Sequence, residues 1–234
     1  MKILAVESTA KQGSVAVTED ERTLAYFSTD AGQTHSQWLL PMALDACRCA
    51  GITLEDVGLY AVTVGPGSFT GVRIGVSCIK GLAFGKELPC VGVSSLEALA
   101  ENLAPLDGIL CPVMDARRGE VYNALFHMKE GRIVRLCPDR AIPLSELRGE
   151  LERDYPGQKV RLVGDGAAIA YDALAGLPVA LPPAEIMYAS AASVARCGYR
   201  HYLAGEATTD AALAPVYLRL PQAERERLER MKNQ

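Results

Sequence analysis

The chain has 234 residues, 49% of them hydrophobic and 22% charged, the make-up of a globular protein long enough for one or two domains; this excludes a disordered, collagenous or disulfide-scaffold chain. Its 24 basic and 28 acidic residues leave a net charge of −4, too little to mark a nucleic-acid binder by electrostatics alone. The charge is uneven: the 8 basic and 13 acidic residues up to Arg117 give −5, the 16 basic and 15 acidic residues after it give +1, and the asymmetry hints at two parts.

Residues 3–6 are a short apolar run, residues 14–18 alternate in polarity and residues 23–28 are again strand-like, so the chain opens as a three-stranded antiparallel meander. From Ser36 the period changes, because Leu39, Leu40, Ala43, Leu44, Cys47 and Ala50 recur at helical spacing until Gly51 stops the run. Pro41 within that helix belongs in the first turn or makes a kink. A buried strand over 59–64 ends in Gly65-Pro66-Gly67-Ser68, a helix follows over 69–84, then a strand over 89–93 and a helix from Ser94 that Pro105 closes.

The order β-β-β-α-β-α-β-α of residues 1–105 recurs in outline downstream, with strands near 109–114, 121–126 and 133–136, a helix near 144–154, a strand over 160–163 and a helix from about Ala167. Two halves that each begin with three strands predict a duplicated α/β domain. A helix over 188–204 follows, and after Pro221 a helix over 222–232 alternates its charges as a solvated helix does.

Seven cysteines form no C-x-x-C pair, which suits buried free thiols in a reducing compartment. The N-terminus reaches Glu7 after four apolar residues, too soon for the roughly 7–15 apolar residues of a signal peptide, and a cytoplasmic protein is expected. The longest apolar stretch, residues 72–84, contains Arg73 and Lys80 and falls short of the roughly 18 residues of a membrane span.

The segment Gly65 to Gly75 is the most unusual part of the chain. A glycine-rich turn from strand into helix presents free N–H groups to an anion, yet no lysine stands where a Walker loop needs one. Gly67, Gly71 and Gly75 fall four apart on one helix face, so close approach of another backbone is the competing use, within the chain or at an interface. Glu7-Ser8-Thr9-Ala10 at the end of the first strand is either a Mg²⁺ or phosphate contact or a hydrogen-bonded turn. Asp115-Ala116-Arg117-Arg118-Gly119-Glu120 concentrates charge where a cleft between the halves would open, although such clusters are commonly solvated ion pairs. Trp38 is either core or an exposed anchor. His35, His127 and His201 lack metal-ligand spacing, and no G-x-S-x-G elbow occurs.

Val64 to Gly75, His35-Ser36 followed by Leu39-Leu40-Pro41, Val93 to Ala100, Asp115-Ala116-Arg117 with Glu120-Val121-Tyr122, and Pro215-Val216-Tyr217-Leu218-Arg219 together resemble the TsaB (YeaZ) family. This is a bacterial family of tRNA threonylcarbamoyladenosine biosynthesis proteins in the TsaD/Kae-type, glycoprotease-like superfamily, and the resemblance runs from the start to about residue 220. It implies an α/β fold of two ribonuclease-H-like lobes of the actin-like ATPase (ASKHA) superfamily, mixed sheets flanked by helices. Residues 1–105, joined by the segment 206–234, would form one lobe and residues 106–205 the other.

The resemblance further implies a non-catalytic subunit, needed to modify the adenosine beside the anticodon. Such a subunit binds and activates the transferase paralogue TsaD together with the ATPase TsaE, and forms a homodimer in isolation. tRNA is then reached indirectly through the complex, with no membrane contact. The family's first two helices carry the partner surface, which transfers to Ser36, Trp38, Leu39, Leu40 and Ala43 and to Gly67, Gly71, Arg73 and Gly75. No catalytic residue, metal site or cofactor is implied for the chain alone, ATP or ADP with Mg²⁺ entering only in complex with partners. The alternative is an actin-like ATPase or kinase, whose nucleotide contacts would be Glu7, Ser8, Thr9, Gly65, Gly67 and Ser68; a metalloprotease follows only from a label the wider family has carried. Where the family usually has Asp-Thr-Ser-Thr, this chain has Glu7-Ser8-Thr9-Ala10, a longer carboxylate and one hydroxyl fewer.

Overall fold

Strands β1 (Lys2–Glu7), β2 (Gly13–Glu19) and β3 (Arg22–Thr29) form the expected antiparallel meander in the computed structural model, which describes residues 1–104, 106–130, 132–219 and 231. Helix α1 (His35–Cys49) crosses to β4 (Leu59–Gly65), α2 (Phe69–Ala83) crosses to β5 (Cys90–Ser94), and β4 and β5 extend the sheet in parallel to the order β3-β2-β1-β4-β5. Pro41 lies beyond the first turn of α1. Helix α3 (Ser95–Asn102) is capped by the Ser94 hydroxyl, which accepts from the Glu97 N–H, and Pro105, expected to close it, lies outside the described residues.

The second half repeats the plan. Strands β6 (Ile109–Arg117), β7 (Glu120–Asn123), β10 (Arg140–Pro143), β11 (Val160–Val163) and β12 (Val179–Ala180) take the order β10-β7-β6-β11-β12. Helices α4 (Leu144–Asp154), α5 (Ala167–Ala173) and α6 (Ala191–Leu203) occupy the places of α1, α2 and α3. This is the two-fold ribonuclease-H-like α/β arrangement expected. Two strand assignments change. The stretch 121–126 is not one strand, because Pro112 of β6 has no N–H for the ladder; pairing with β6 breaks between Asn123 and Phe126, and the Asn123 amide donates to the Pro112 carbonyl at 3.0 Å instead. The third strand of the second half is β10 rather than 133–136, which forms a side hairpin, β8 (Phe126–Lys129) with β9 (Arg132–Arg135). The expected helix over 222–232 lies outside the described residues, Met231 apart.

Strands β1 and β4, central in the first sheet, are buried on both faces, which explains their unbroken apolar runs. Leu4, Val6, Tyr60 and Val62 pack under α1 and α2, while Ile3, Ala5, Leu59 and Ala61 face α6. The α6 side carries small residues, and Gly198 of α6 sits so close that a Cβ there would lie 2.7 Å from that of Ala61. Helix α3 lies against β6, so the final helix of each half packs towards the sheet of the other, across the expected division at 105/106. Between them, Glu101 of α3 binds Arg196 (2.9 Å) and Arg200 (2.6 Å), Asn102 accepts from the Ser193 hydroxyl at 2.6 Å, and Glu97 meets His201 at 3.0 Å. Leu147 and Leu151 of α4 with Ala167 and Ala170 of α5 close a third core on the outer face of the second sheet. All seven cysteines are free thiols. Among the described residues no helix is long and apolar enough to cross a membrane.

His201 joins Glu97, Glu206 and, through Glu97, Arg135 of β9. The hydrogen bond to Glu97 and the second carboxylate of Glu206 outweigh burial and hold its pKa up at about 9 rather than 6.5. A raised histidine stabilises the fold fully below pH 6.5, and that contribution is lost as the pH rises through about 9. Partial exposure reduces it to about 1–2 kcal/mol. Wild type should lose that much unfolding free energy, measured by urea titration, between pH 6.5 and 9, and His201→Gln should flatten the profile over this window. Equal slopes for the two proteins would refute the assignment.

Candidate functional site

A cleft of about 670 Å³ opens between the two sheets. Its walls come from the β1–β2 turn, the β4–α2 turn, the β6–β7 turn, the β11–α5 turn and the segment 216–219, and its polar lining includes Lys11, Gln33, His35, Ser68, Asp115 and Asp165. These turns sit together because both sheets end their parallel strands at the same side, which is where open α/β sheets place their ligand crevices.

Glu7 is fully buried below this cleft. One carboxylate oxygen accepts from the backbone N–H of Thr9 (2.8 Å) and from the hydroxyls of Thr9 and Thr63, while the other has no hydrogen-bond partner among the described residues. Burial pushes its pKa up to about 7, against these hydrogen bonds. The Ser8 hydroxyl donates to the Gly71 carbonyl at 2.9 Å, and the Ser68 N–H donates to the Thr9 carbonyl at 2.7 Å. Ser68 caps α2 by accepting from the Gly71 N–H. Gly65 has φ +118°, and a Cβ there would stand 2.5 Å from the Val216 carbonyl; one on Gly67 would stand 2.6 Å from that of Thr9. The six residues expected as nucleotide contacts are therefore brought together, but their polar atoms face one another. Thr9 and Ser68 do line the cleft, yet the geometry is that of a self-supporting turn more than of a phosphate cradle. Among the described residues no group of three His, Cys, Asp or Glu side chains could hold a metal ion.

The partner-surface residues divide. Gly71 and Gly75, expected on an interface, are buried against Ser8, whose carbonyl and hydroxyl occupy the space a Cβ would need. Close approach within the chain is the use of this glycine face. Leu39 and Ala43 turn into the first core, and Trp38 is half-buried over Gly13 and beside His35, with ring centroids 5.1 Å apart. Ser36, Leu40 and Arg73 remain at the surface. They rim an apolar groove of about 610 Å³ between α1 and α2, floored by Leu39, Ile74, Cys78 and Leu82; Leu40 is 46% exposed and Leu44 beyond it 45%.

One further feature was not singled out from sequence, and one motif that was takes on a structural role. Asp165 follows β11 in a Gly-Asp-Gly turn and accepts from the Asp115 N–H at 3.2 Å; burial, first, and Asp115 nearby raise its pKa. Its signal was available, since Gly164-Asp165-Gly166 joins strand to helix as Gly65 to Ser68 does. The segment from Thr208 to Arg219 is a strap. It pairs with Cys90, accepts from the Lys80 ammonium at the Ala211 and Leu213 carbonyls (both 3.0 Å), reaches Val64 through the Val216 N–H (2.7 Å), and ends with Arg219 on the Ala116 carbonyl and the Glu120 carboxylate. The β6–β7 turn beneath it holds Arg117 and Arg118 at positive φ, with Arg117 paired to Asp115 at 3.4 Å. The charge cluster is thus both ion-paired and cleft-lining.

The chain matches a family model described as TsaD, tRNA N6-adenosine threonylcarbamoyltransferase, over residues 28–218. It is 33% identical over 221 residues to the tRNA threonylcarbamoyladenosine biosynthesis protein TsaB of Escherichia coli, covering 94% of this chain and 95% of that one. To the protein of the same name from Bacillus subtilis it is 35% identical over 157 residues, covering 67% and 69%. Among solved structures, YeaZ from Pseudomonas aeruginosa superposes with a TM-score of 0.79 at 27% identity, covering 93% of this chain and 99% of the other.

The two helical glycines at the ends of the scale make a direct test. Gly71→Ala should cost about 1–3 kcal/mol of unfolding free energy through overpacking against Ser8. Gly81, which has open space around it, should gain up to about 1 kcal/mol as alanine. Denaturant titration of both variants checks this, and equal effects would refute the close-approach role.

Proposed function

The chain belongs to the TsaB family, and from that membership we propose that its part in forming threonylcarbamoyladenosine on tRNA is that of a docking subunit, not of the group-transferring enzyme. The observation that carries the reading is the α1–α2 groove. Leu40, Leu44, Ile74 and Leu82 leave an apolar strip open to solvent next to the cation of Arg73, on the two helices that the family uses for its partner. The proposed occupant is the transferase TsaD, whose own family model this chain matches across most of its length; a paralogue with the same two helices can answer an apolar helix pair with its own. In the absence of TsaD a second copy of this chain takes the groove, and the ATPase TsaE joins the assembled pair. The acidic first half, at −5, supports indirect contact with tRNA through the partner.

The mutual engagement of Glu7, Thr9 and Ser68 supports the docking reading over an intrinsic ATPase or kinase, because the donors such an enzyme would turn to a phosphate are already bonded within the turn. Leu40→Arg should weaken capture of purified TsaD by thirtyfold or more, on the scale of an interface hot spot of about 2 kcal/mol, with an unchanged circular dichroism spectrum. It should also lower threonylcarbamoyladenosine formation in a reconstituted reaction and convert a homodimer to monomer in sedimentation. Undiminished capture of TsaD would overturn the reading.

A further inference from the structure

The groove and the cleft share one side chain. Arg73 rims the groove, and from the same position its Nε–H donates to the Tyr217 hydroxyl at 2.8 Å while its guanidinium lies 3.9 Å over the Phe69 ring. Phe69 and Tyr217 stack with centroids 4.6 Å apart, and both line the cleft. Tyr217 is part of the strap, whose anchorage to the first sheet just before it is the bond from Val216 N–H to Val64. Between that bond and the anchorage of Arg219 on Ala116 and Glu120 the strap is open to solvent: Val216 is 50% exposed and Tyr217 41%.

Arg73 is also under-used where it stands. Among the described residues it has no carboxylate partner, and its hydrogen bond is to a neutral phenol. A carboxylate is the stronger and bidentate acceptor for a guanidinium. We propose that Arg73 is a latch between groove and cleft: a carboxylate that the docked partner brings to the groove rim draws the guanidinium off Tyr217 and frees residues 214–218 to lift from the cleft mouth, while Arg219 stays anchored on Ala116 and Glu120. The partner in the groove thereby controls access to a cleft it does not touch. Coupling of this kind is reciprocal, so a strap held down weakens docking and a strap released strengthens it. The proposal rests on the docking reading above and adds to it the direction in which the docked state acts.

Amide hydrogen exchange of the full chain, alone and with purified TsaD, tests it. In the free wild type the Val216 amide should be protected by Val64, and Arg73→Ala should raise its exchange about tenfold while amides of β1 and β4 stay unchanged. Addition of TsaD should raise exchange at Val216 and Tyr217 in wild type by a similar factor and add little in Arg73→Ala. Tyr217→Phe, which keeps the ring stack and removes the acceptor, should fall between the two. A complex that forms with unchanged exchange at residues 216–217 overturns the latch and leaves the docking reading standing. Failure to form any complex overturns both. No effect of Arg73→Ala on strap exchange also removes the latch.

Discussion

The close seating of the β1–β2 turn on helix α2 is the constraint from which the rest of the molecule takes its positions. Ser8 and Thr9 occupy the space that Gly67, Gly71 and Gly75 leave by having no side chain, and the contacts are made by carbonyls and hydroxyls rather than by flexible chain ends. With one face of α2 fixed there, its opposite face is bound to look outward beside α1, and its N-terminus is bound to point at the second sheet. Groove and cleft are thus two sides of one packed helix. A larger residue on the glycine face would displace both together.

Around this contact the two halves are interlocked. The alanines of β1, β2 and β4 let α6 approach the first sheet within a backbone's reach, and α3 returns the arrangement towards β6. The buried polar pairs between α3 and α6 are well matched, so Glu101 is buried with two arginines and is not an isolated charge. The strap then closes the side that the helices leave open. The cleft between the sheets consequently has a packed floor and a rim formed by the strap, tied down at Val216 and Arg219.

Most of the architecture was legible from local patterns. The meander, the shift to helical spacing at Ser36 and the strand endings at Gly65 and Val163 are strong signals, because β1, β2 and β4 are buried on both faces while β3 and α1 are buried on one, and their polarity follows directly. The second half was harder for a specific reason: Pro112 divides one pairing edge into β7 and β8, and β10, bounded by Arg140 and Pro143, has neither the length nor the apolar run of a central strand. The site was legible as a set of residues but not in its direction. Glycine spacing located the face of α2 and could not say whether Ser8 or another chain filled it, since both need the same missing Cβ. Asp165 escaped because its importance comes from Asp115, 50 positions away; residues 215–219 stood out as a motif, but the tie from Tyr217 to Arg73, 144 positions away, did not.

The exchange of final helices bears on how such a chain is made. As the polypeptide leaves the ribosome, the first sheet can pair its strands and receive α1 and α2, but the face formed by Ile3, Ala5, Ala16 and Ala61 has no cover until α6 has been completed, 120 residues after the end of α2. Until then the nascent first half carries a wet apolar sheet face, and its completion depends on contacts of very long sequence separation. The duplication that gives the fold its regularity has therefore not given it two independent folding units, and the first half is not whole until α6 has followed the second sheet out.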